Sequence, residues 1–373
     1  MAGIYIHIPF CKRICSYCDF YKSTLVALIP EYLDAVCTEL MIRSNYLEGE
    51  TIDTLYIGGG TPSLLTPGQI SGLIRQVSDH YPLSDHCEIT IEANPDDLSF
   101  EFLDNLSKTA VNRLSIGVQS FRDEDLKILN RRHNALQAYE CIQMARSAGF
   151  SNISIDLIYG IPGMELEDWI ENISRIPGVE HISAYHLTLE PGTALSRQVS
   201  RGLLSLSDED QSTNQFNLLH ESAAKAGYIH YEISNLAREG FMSRHNSNYW
   251  KQERYLGAGP SAHSYDIDSR QWNLRDLKGY IHAVKGGKAY FEREELNSSD
   301  RYNEYVMLSL RTMWGIDERT LWVKFGESMH QHYLKHIQPY VQSGHVLYDG
   351  TTFKMNPAGW LISDYIVSSL MKL

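Results

Sequence analysis

Short apolar stretches alternate with amphipathic ones through the first half of this 373-residue chain, and that alternation limits the fold more than any other feature. Residues 4–8, 54–57, 89–92, 113–118, 153–158 and 181–187 read as strands; 32–41, 70–77, 100–107, 134–148 and 166–173 read as the helices between them. Strand and helix in strict alternation imply parallel strands joined by crossovers, an α/β class. The pattern suits a partial (β/α)6 barrel or a doubly wound sheet. Polar residues or glycines at the C-terminal strand ends favour the barrel: Cys11, Gly58, Gly59, Gly60, Glu92, Gln119, Asp156 and His186. In barrel enzymes, different strands contribute different groups to a site built at that end.

Beyond Pro191 and Gly192 the texture changes. Residues 208–226 form a long amphipathic helix candidate, and 228–233 a seventh strand. The stretch 235–270 is rich in Gly, Ser, His and aromatics, lacks clear periodicity, and is expected to be functional loop, the kind of segment that could cover a barrel mouth. Residues 302–310, 321–325, 330–341 and 360–371 are helical candidates, with a small hairpin at 346–348 and 351–355 around Asp349 and Gly350. The expected division is therefore a barrel with its extension over 1–235, a connecting loop region over 236–275, and an α+β accessory domain over 276–373.

Three cysteines, Cys11, Cys15 and Cys18, stand in CxxxCxxC spacing directly after the first strand, while Cys37, Cys87 and Cys141 stand alone. A disulfide framework would spread its pairs, and a chain with 43% hydrophobic residues has core enough without staples. The lone cysteines read as small buried apolar residues. Three thiolates on one loop can ligate three irons of a cubane cluster and leave the fourth open to a small molecule, with Lys12 and Arg13 offsetting the negative charge. Structural zinc is the alternative, with His7 or Asp19 as fourth ligand, although the spacing matches zinc knuckles poorly. Unligated thiols in a reduced cytosol are the other.

The net charge of −13 makes nucleic acid a poor partner, despite a local basic run at Arg131, Arg132 and His133. No apolar run approaches the roughly 18–20 residues of a membrane span. No basic leader precedes the first strand, so the expected compartment is the cytoplasm. Gly58, Gly59 and Gly60 read as a tight turn or as a close approach to a ligand. A Walker motif is absent, so ATP binding is unsupported.

Taken together, the motifs YIHIPFC at 5–11 with the cysteines through Cys18, GGGTP at 58–62, EANP at 92–95, GVQSF at 117–121, DLIYG at 156–160 and GAGPSAHS at 257–264 resemble the radical S-adenosylmethionine (SAM) superfamily. More narrowly, they resemble the branch that contains oxygen-independent coproporphyrinogen III oxidase and the HemW haem chaperones. The resemblance implies a radical-SAM barrel with a HemN-like C-terminal domain, and a 4Fe–4S cluster on Cys11, Cys15 and Cys18. It implies SAM held by the backbone of Gly58 to Gly60 with Thr61, and by Glu92, Gln119, Arg131 and Asp156, Arg131 facing the carboxylate. Tyr5 would pack at the same site, and the backbone near Ala184 would run along the adenine. One electron from the cluster would cleave the sulfonium to methionine and a 5′-deoxyadenosyl radical, so an electron donor is implied.

Within that branch, the oxidases carry a further cysteine two residues beyond the third ligand, where this chain has Phe20, and they carry an N-terminal extension before the position of Tyr5. The HNxxYW pattern at 245–250 resembles the motif associated with haem in the HemW proteins. His245 is then the expected axial ligand, with Tyr249 and Trp250 as an aromatic wall; His263 or a cysteine is the alternative. The leading expectation is a chaperone delivering haem to respiratory haem proteins, with peripheral membrane association and a homodimer both compatible. The alternative is a radical enzyme acting on coproporphyrinogen III or a related tetrapyrrole.

Overall fold

The computed structural model describes residues 2–372. Six strands and their helices form its first half: β1 (Ala2–Ile8), α1 (Ile29–Ile42), β2 (Ile52–Gly59), α2 (Pro67–His80), β3 (Leu83–Ala93), α3 (Phe100–Leu106), β4 (Arg113–Gln119), α4 (Asp123–Ile128), α5 (Ala135–Ser147), β5 (Ile153–Tyr159), α6 (Leu166–Ser174) and β6 (His181–His186). The strands run parallel in the order β1 to β6. Every residue of β4 is buried, as a parallel strand covered on both faces requires. Helix starts are set locally. Thr66 with Gln69 and Asn134 with Gln137 form capping boxes that open α2 and α5.

The chain continues with α7 (Ala194–Ser200), α8 (Glu209–Lys225), β7 (Ile229–Glu232) and β8 (Asn235–Ala237). The expected seventh strand is present, yet it does not pair with β6. β8 does so, antiparallel, with Ile182 opposite Leu236, and β7 forms the outer edge. β1 and β6 are therefore not neighbours, and the barrel stays open.

The stretch expected as loop is largely regular. It holds α9 (Arg244–Trp250), β9 (Tyr255–Ala258), β10 (His263–Tyr265) and β11 (Ser269–Asn273), followed by α10 (Leu277–Lys285) and β12 (Phe291–Glu295). β9 pairs parallel to β1, Tyr5 opposite Gly257, and β10 to β12 extend the sheet antiparallel. Strands of three to five residues are too short for their periodicity to register in sequence.

The rest comprises α11 (Ser298–Leu310), β13 (Ile316–Asp317), α12 (Glu318–Gln342), β14 (Val346–Tyr348), β15 (Thr352–Met355), α13 (Pro357–Leu361) and α14 (Ser363–Leu370). β15 is central in a three-stranded sheet. Gly326, with φ of +77°, interrupts α12 between the two helices expected there. Among the described residues no helix is long and apolar enough to cross a membrane.

Candidate functional site

The C-terminal ends of the strands surround one cavity of about 930 Å³. The cysteine loop forms part of its wall and is fastened at several points. Phe10 is fully buried, edge-on to Tyr32, and Cys11 N donates to Ser23 O at 3.0 Å while Ser23 N donates to Pro9 O at 2.6 Å. Mid-loop, Ser16 donates through Oγ to Ile128 O and through N to Leu129 O, at 2.7 and 3.1 Å. Lys22 Nζ caps the Cys18 carbonyl at 2.5 Å. All three cysteines face the cavity.

The charges around these thiols differ from expectation. Lys12 is turned away to Asp97, at 2.8 Å. Arg131 stands in its place: Nη1 lies 3.4 Å from Cys15 Sγ, and Nη2 donates to Asn94 Oδ1 and Gly117 O at 2.7 Å. Thr61 Oγ1 lies 3.5 Å from Cys11 Sγ. Among the described residues no three Cys, His, Asp or Glu side chains converge closely enough to hold a single metal ion. His7, the candidate fourth zinc ligand, has both ring nitrogens engaged. Nε2 donates to Tyr21 O at 3.0 Å, so Nδ1 must accept from the Tyr5 hydroxyl at 3.0 Å. A cubane makes a different demand, one thiolate on each of three separate irons.

Next to the thiols, β2 ends in the glycines. Gly59 has φ of +114°, and a Cβ there would stand 2.7 Å from the His7 ring; at Gly60 it would stand 2.7 Å from Phe10 O and 3.0 Å from Cys11 Sγ. The cradle is open only because these residues lack side chains. Glu92 accepts from Gly59 N at 2.9 Å and from the Tyr56 hydroxyl at 2.8 Å. Burial, then the nearby Asp156, pushes Glu92 up to about 7. Burial also pushes Asp156 up to about 6, against the pull of Arg113. Two buried carboxylates of this kind favour a cationic ligand, which would restore their ionised forms. Gln119 completes the ring with a left-handed φ of +68°.

The cavity wall thus gathers Tyr5, the three cysteines, Gly59, Gly60, Thr61, Glu92, Gln119, Arg131, Asp156 and Tyr249. Gly58, Ala184, His245 and Trp250 lie off it, although Ser183 and Tyr185 beside Ala184 face it. The structure adds Arg113 and Lys22, which the sequence did not single out, and Asn94, which it marked only as part of the EANP motif. A buried strand arginine such as Arg113 has no sequence signal separating it from a surface one.

The 245–250 motif is a helix anchored from β3, not a loop. Glu88 accepts from the backbone N–H groups of Arg244 and His245 at 3.1 and 3.0 Å, a carboxylate at a helix N-terminus. His245 is buried beneath Tyr5 and Tyr56, its ring stacked on Tyr56 at 5.0 Å. Its Nδ1 lies 2.8 Å from Thr54 Oγ1 and its Nε2 2.8 Å from the Tyr249 hydroxyl. In either neutral tautomer one nitrogen donates and the other accepts, so both are occupied.

Residues 5–176 match the Radical SAM superfamily and residues 296–362 the HemN C-terminal domain. Among curated proteins, the "Heme chaperone HemW" of Lactococcus lactis is 35% identical over 98% of this chain and 96% of its own length. That of Bacillus subtilis is 36% identical over 88% of each. The chain belongs to the HemW family. Its HemW relatives extend to Mycobacterium tuberculosis, at 34% identity over 99% of this chain and 94% of the relative. Coproporphyrinogen III oxidase (HemN) from Escherichia coli shares the fold of this HemW-family chain, with a TM-score of 0.86 over 100% of this chain and 90% of that one at 24% identity.

Proposed function

We propose that the chain is a haem chaperone that holds a 4Fe–4S cluster on Cys11, Cys15 and Cys18 with SAM beside it. The observation that carries this reading is the full-length similarity to proteins named heme chaperone HemW. The cavity's residues fit both groups: three thiols on one anchored loop, a glycine cradle against one of them, and Arg131 with a buried Nε that has no hydrogen-bond partner among the described residues. Bound there, the cluster would supply an electron to the sulfonium of SAM.

The chain's own task is binding and exclusion of water. Glu92 and the backbone of Gly58 to Gly60 would receive the amino group, and Arg131 the carboxylate. Gln119 and Asp156 would hold the remaining polar edge, with Tyr5 packed against it and the backbone near Ala184 along the adenine. Burial makes each such contact stronger than it would be in water. In the same reading, respiratory haem proteins take the haem, an electron donor serves the cluster, and the work is done in the cytoplasm, with a peripheral membrane contact and a homodimer as finer parts of the proposal.

The oxidase alternative has the fold alone in its favour, and Phe20 stands where those enzymes carry their additional cysteine. The test is anaerobic reconstitution followed by iron and sulfide analysis, a haem titration, and incubation with coproporphyrinogen III, SAM and reductant. About four irons and four sulfides, saturable haem uptake and no protoporphyrinogen are expected. Repeated turnover to protoporphyrinogen without haem retention would replace this reading by the oxidase.

A further inference from the structure

Four histidines stand on or beside the cavity, and their nitrogens are unequally free. His7 uses both, with Tyr5 and Tyr21. His186 has its Nε2 3.0 Å from Ser212 Oγ. His245 uses both, with Thr54 and Tyr249, and lies buried behind the cavity wall; a Cβ on Gly3, near the start of β1, would come within 3.5 Å of its ring. For His245 to bind iron, the Tyr249 or Thr54 contact would have to break and a flat macrocycle would have to pass the Tyr56 ring stacked on it.

His263 differs on each count. It is the first residue of β10, its side chain is exposed on the cavity wall, and among the described residues neither of its ring nitrogens has a hydrogen-bond partner. Trp272 stands beside it, ring centroids 6.3 Å apart. An axial ligand needs an imidazole nitrogen whose lone pair meets open space. The same cavity is lined by Phe20, 72% exposed, and by Arg275, whose Nη2 holds the Asp19 carbonyl at 2.7 Å and so ties the cysteine loop's return to the 259–277 segment.

We propose that His263, and not His245, ligates haem iron in the outer part of this cavity, with Phe20 against the macrocycle and Arg275 beside a propionate. Aromatic faces suit the macrocycle, and a guanidinium suits a carboxylate. His245 instead organises the cavity wall from behind, through Thr54, Tyr56 and Tyr249. This assignment rests on the haem-chaperone reading.

The test is an anaerobic haem titration of the reconstituted full chain, read by the Soret band and by electron paramagnetic resonance of the ferric form. His263→Ala should weaken haem binding by roughly tenfold or more and lose the nitrogen-ligated spectrum. Added imidazole should restore that spectrum, which a merely structural defect would not permit. His263→Met should give a different, sulfur-ligated Soret band, so the question stays answerable if the alanine variant folds poorly. Thr54→Val, which frees the His245 Nδ1 behind the cavity wall, should leave the spectrum unchanged. A His263→Ala protein with wild-type affinity and spectrum overturns the assignment while leaving the chaperone reading intact. A wild-type protein that takes up no haem overturns the chaperone reading, and this assignment with it.

Discussion

The Arg131 guanidinium bridges the cysteine loop to the strand ends: Nη1 lies 3.4 Å from Cys15 Sγ while Nη2 is shared by Asn94 Oδ1 and Gly117 O at 2.7 Å. Only a planar fork reaches all three at once, and a lysine ammonium cannot reproduce it. Arg131→Lys should therefore retain its iron but bind SAM roughly tenfold more weakly. Isothermal titration of reconstituted protein, with iron content measured on the same sample, checks this. Lost iron with unaltered SAM affinity would reduce Arg131 to a structural brace.

Replacing Cys11, Cys15 or Cys18 singly by alanine should remove the cluster, because each thiolate would serve a separate iron. The folded chain should survive, since the loop is also held by Phe10, Ser16 and Ser23. Iron and sulfide analysis with circular dichroism separates the two effects. By contrast, Cys141→Ala should leave the iron intact and lose only some stability, its thiol being buried within α5.

How far such residues could be read from sequence depends on how local their partners are. The β1 to β6 order and the cysteine loop were legible because apolar strands, helix caps and a tight CxxxCxxC spacing are short-range signals. The 244–273 region was not. α9 is a seven-residue helix whose N-terminus is completed by Glu88, and β9 finds its partner β1 about 250 residues away, so neither leaves a local period. Lys12 and Arg131 show the same limit for charge. The residue next to Cys11 in sequence pairs with Asp97, and the one against Cys15 comes from 116 residues on. The HNxxYW motif was found where the pattern placed it, but its histidine is engaged on both sides: by Tyr249 one helical turn on within the motif, and by Thr54, a contact that only the fold supplies.

Stability should fall with rising pH in part because of Glu232. It is fully buried beside the segment that follows α11, among the described residues its Oε1 has no hydrogen-bond partner, and burial raises its pKa from the ordinary carboxyl value of 4.5 to about 7. Between those two values the folded chain keeps a proton that the unfolded chain has released, so stability declines as pH rises from about 4.5 to 7 and the full penalty applies above that. Glu232→Gln cannot ionise. Its stability advantage over wild type should be small near pH 5 and grow toward pH 8, to on the order of 3 kcal/mol at most. Urea unfolding at both pH values checks the sign. An advantage that did not change with pH would show that Glu232 does not titrate between the two states.

The glycine cradle can be tested without touching any polar group. At Gly60 a Cβ would lie 2.7 Å from Phe10 O, 3.0 Å from Ile8 O and 3.0 Å from Cys11 Sγ, the first two being backbone atoms of the anchored loop and of the end of β1. Gly60 N also donates to Ile8 O at 2.7 Å, so the strand end cannot simply swing away. Gly60→Ala must then push the Cys11 segment outward, a strain of about 1–3 kcal/mol concentrated on one cluster ligand. The expected result is a folded protein with reduced iron content and weakened SAM binding. Gly72→Ala supplies the contrast. Gly72 is exposed within α2 with nothing within 4 Å of its Cβ direction, so alanine there should raise stability by up to about 1 kcal/mol and leave the cluster unchanged. If both variants load iron equally, the close packing of Gly60 against Cys11 has no bearing on cluster assembly, and the case for a cradle at the end of β2 fails with it.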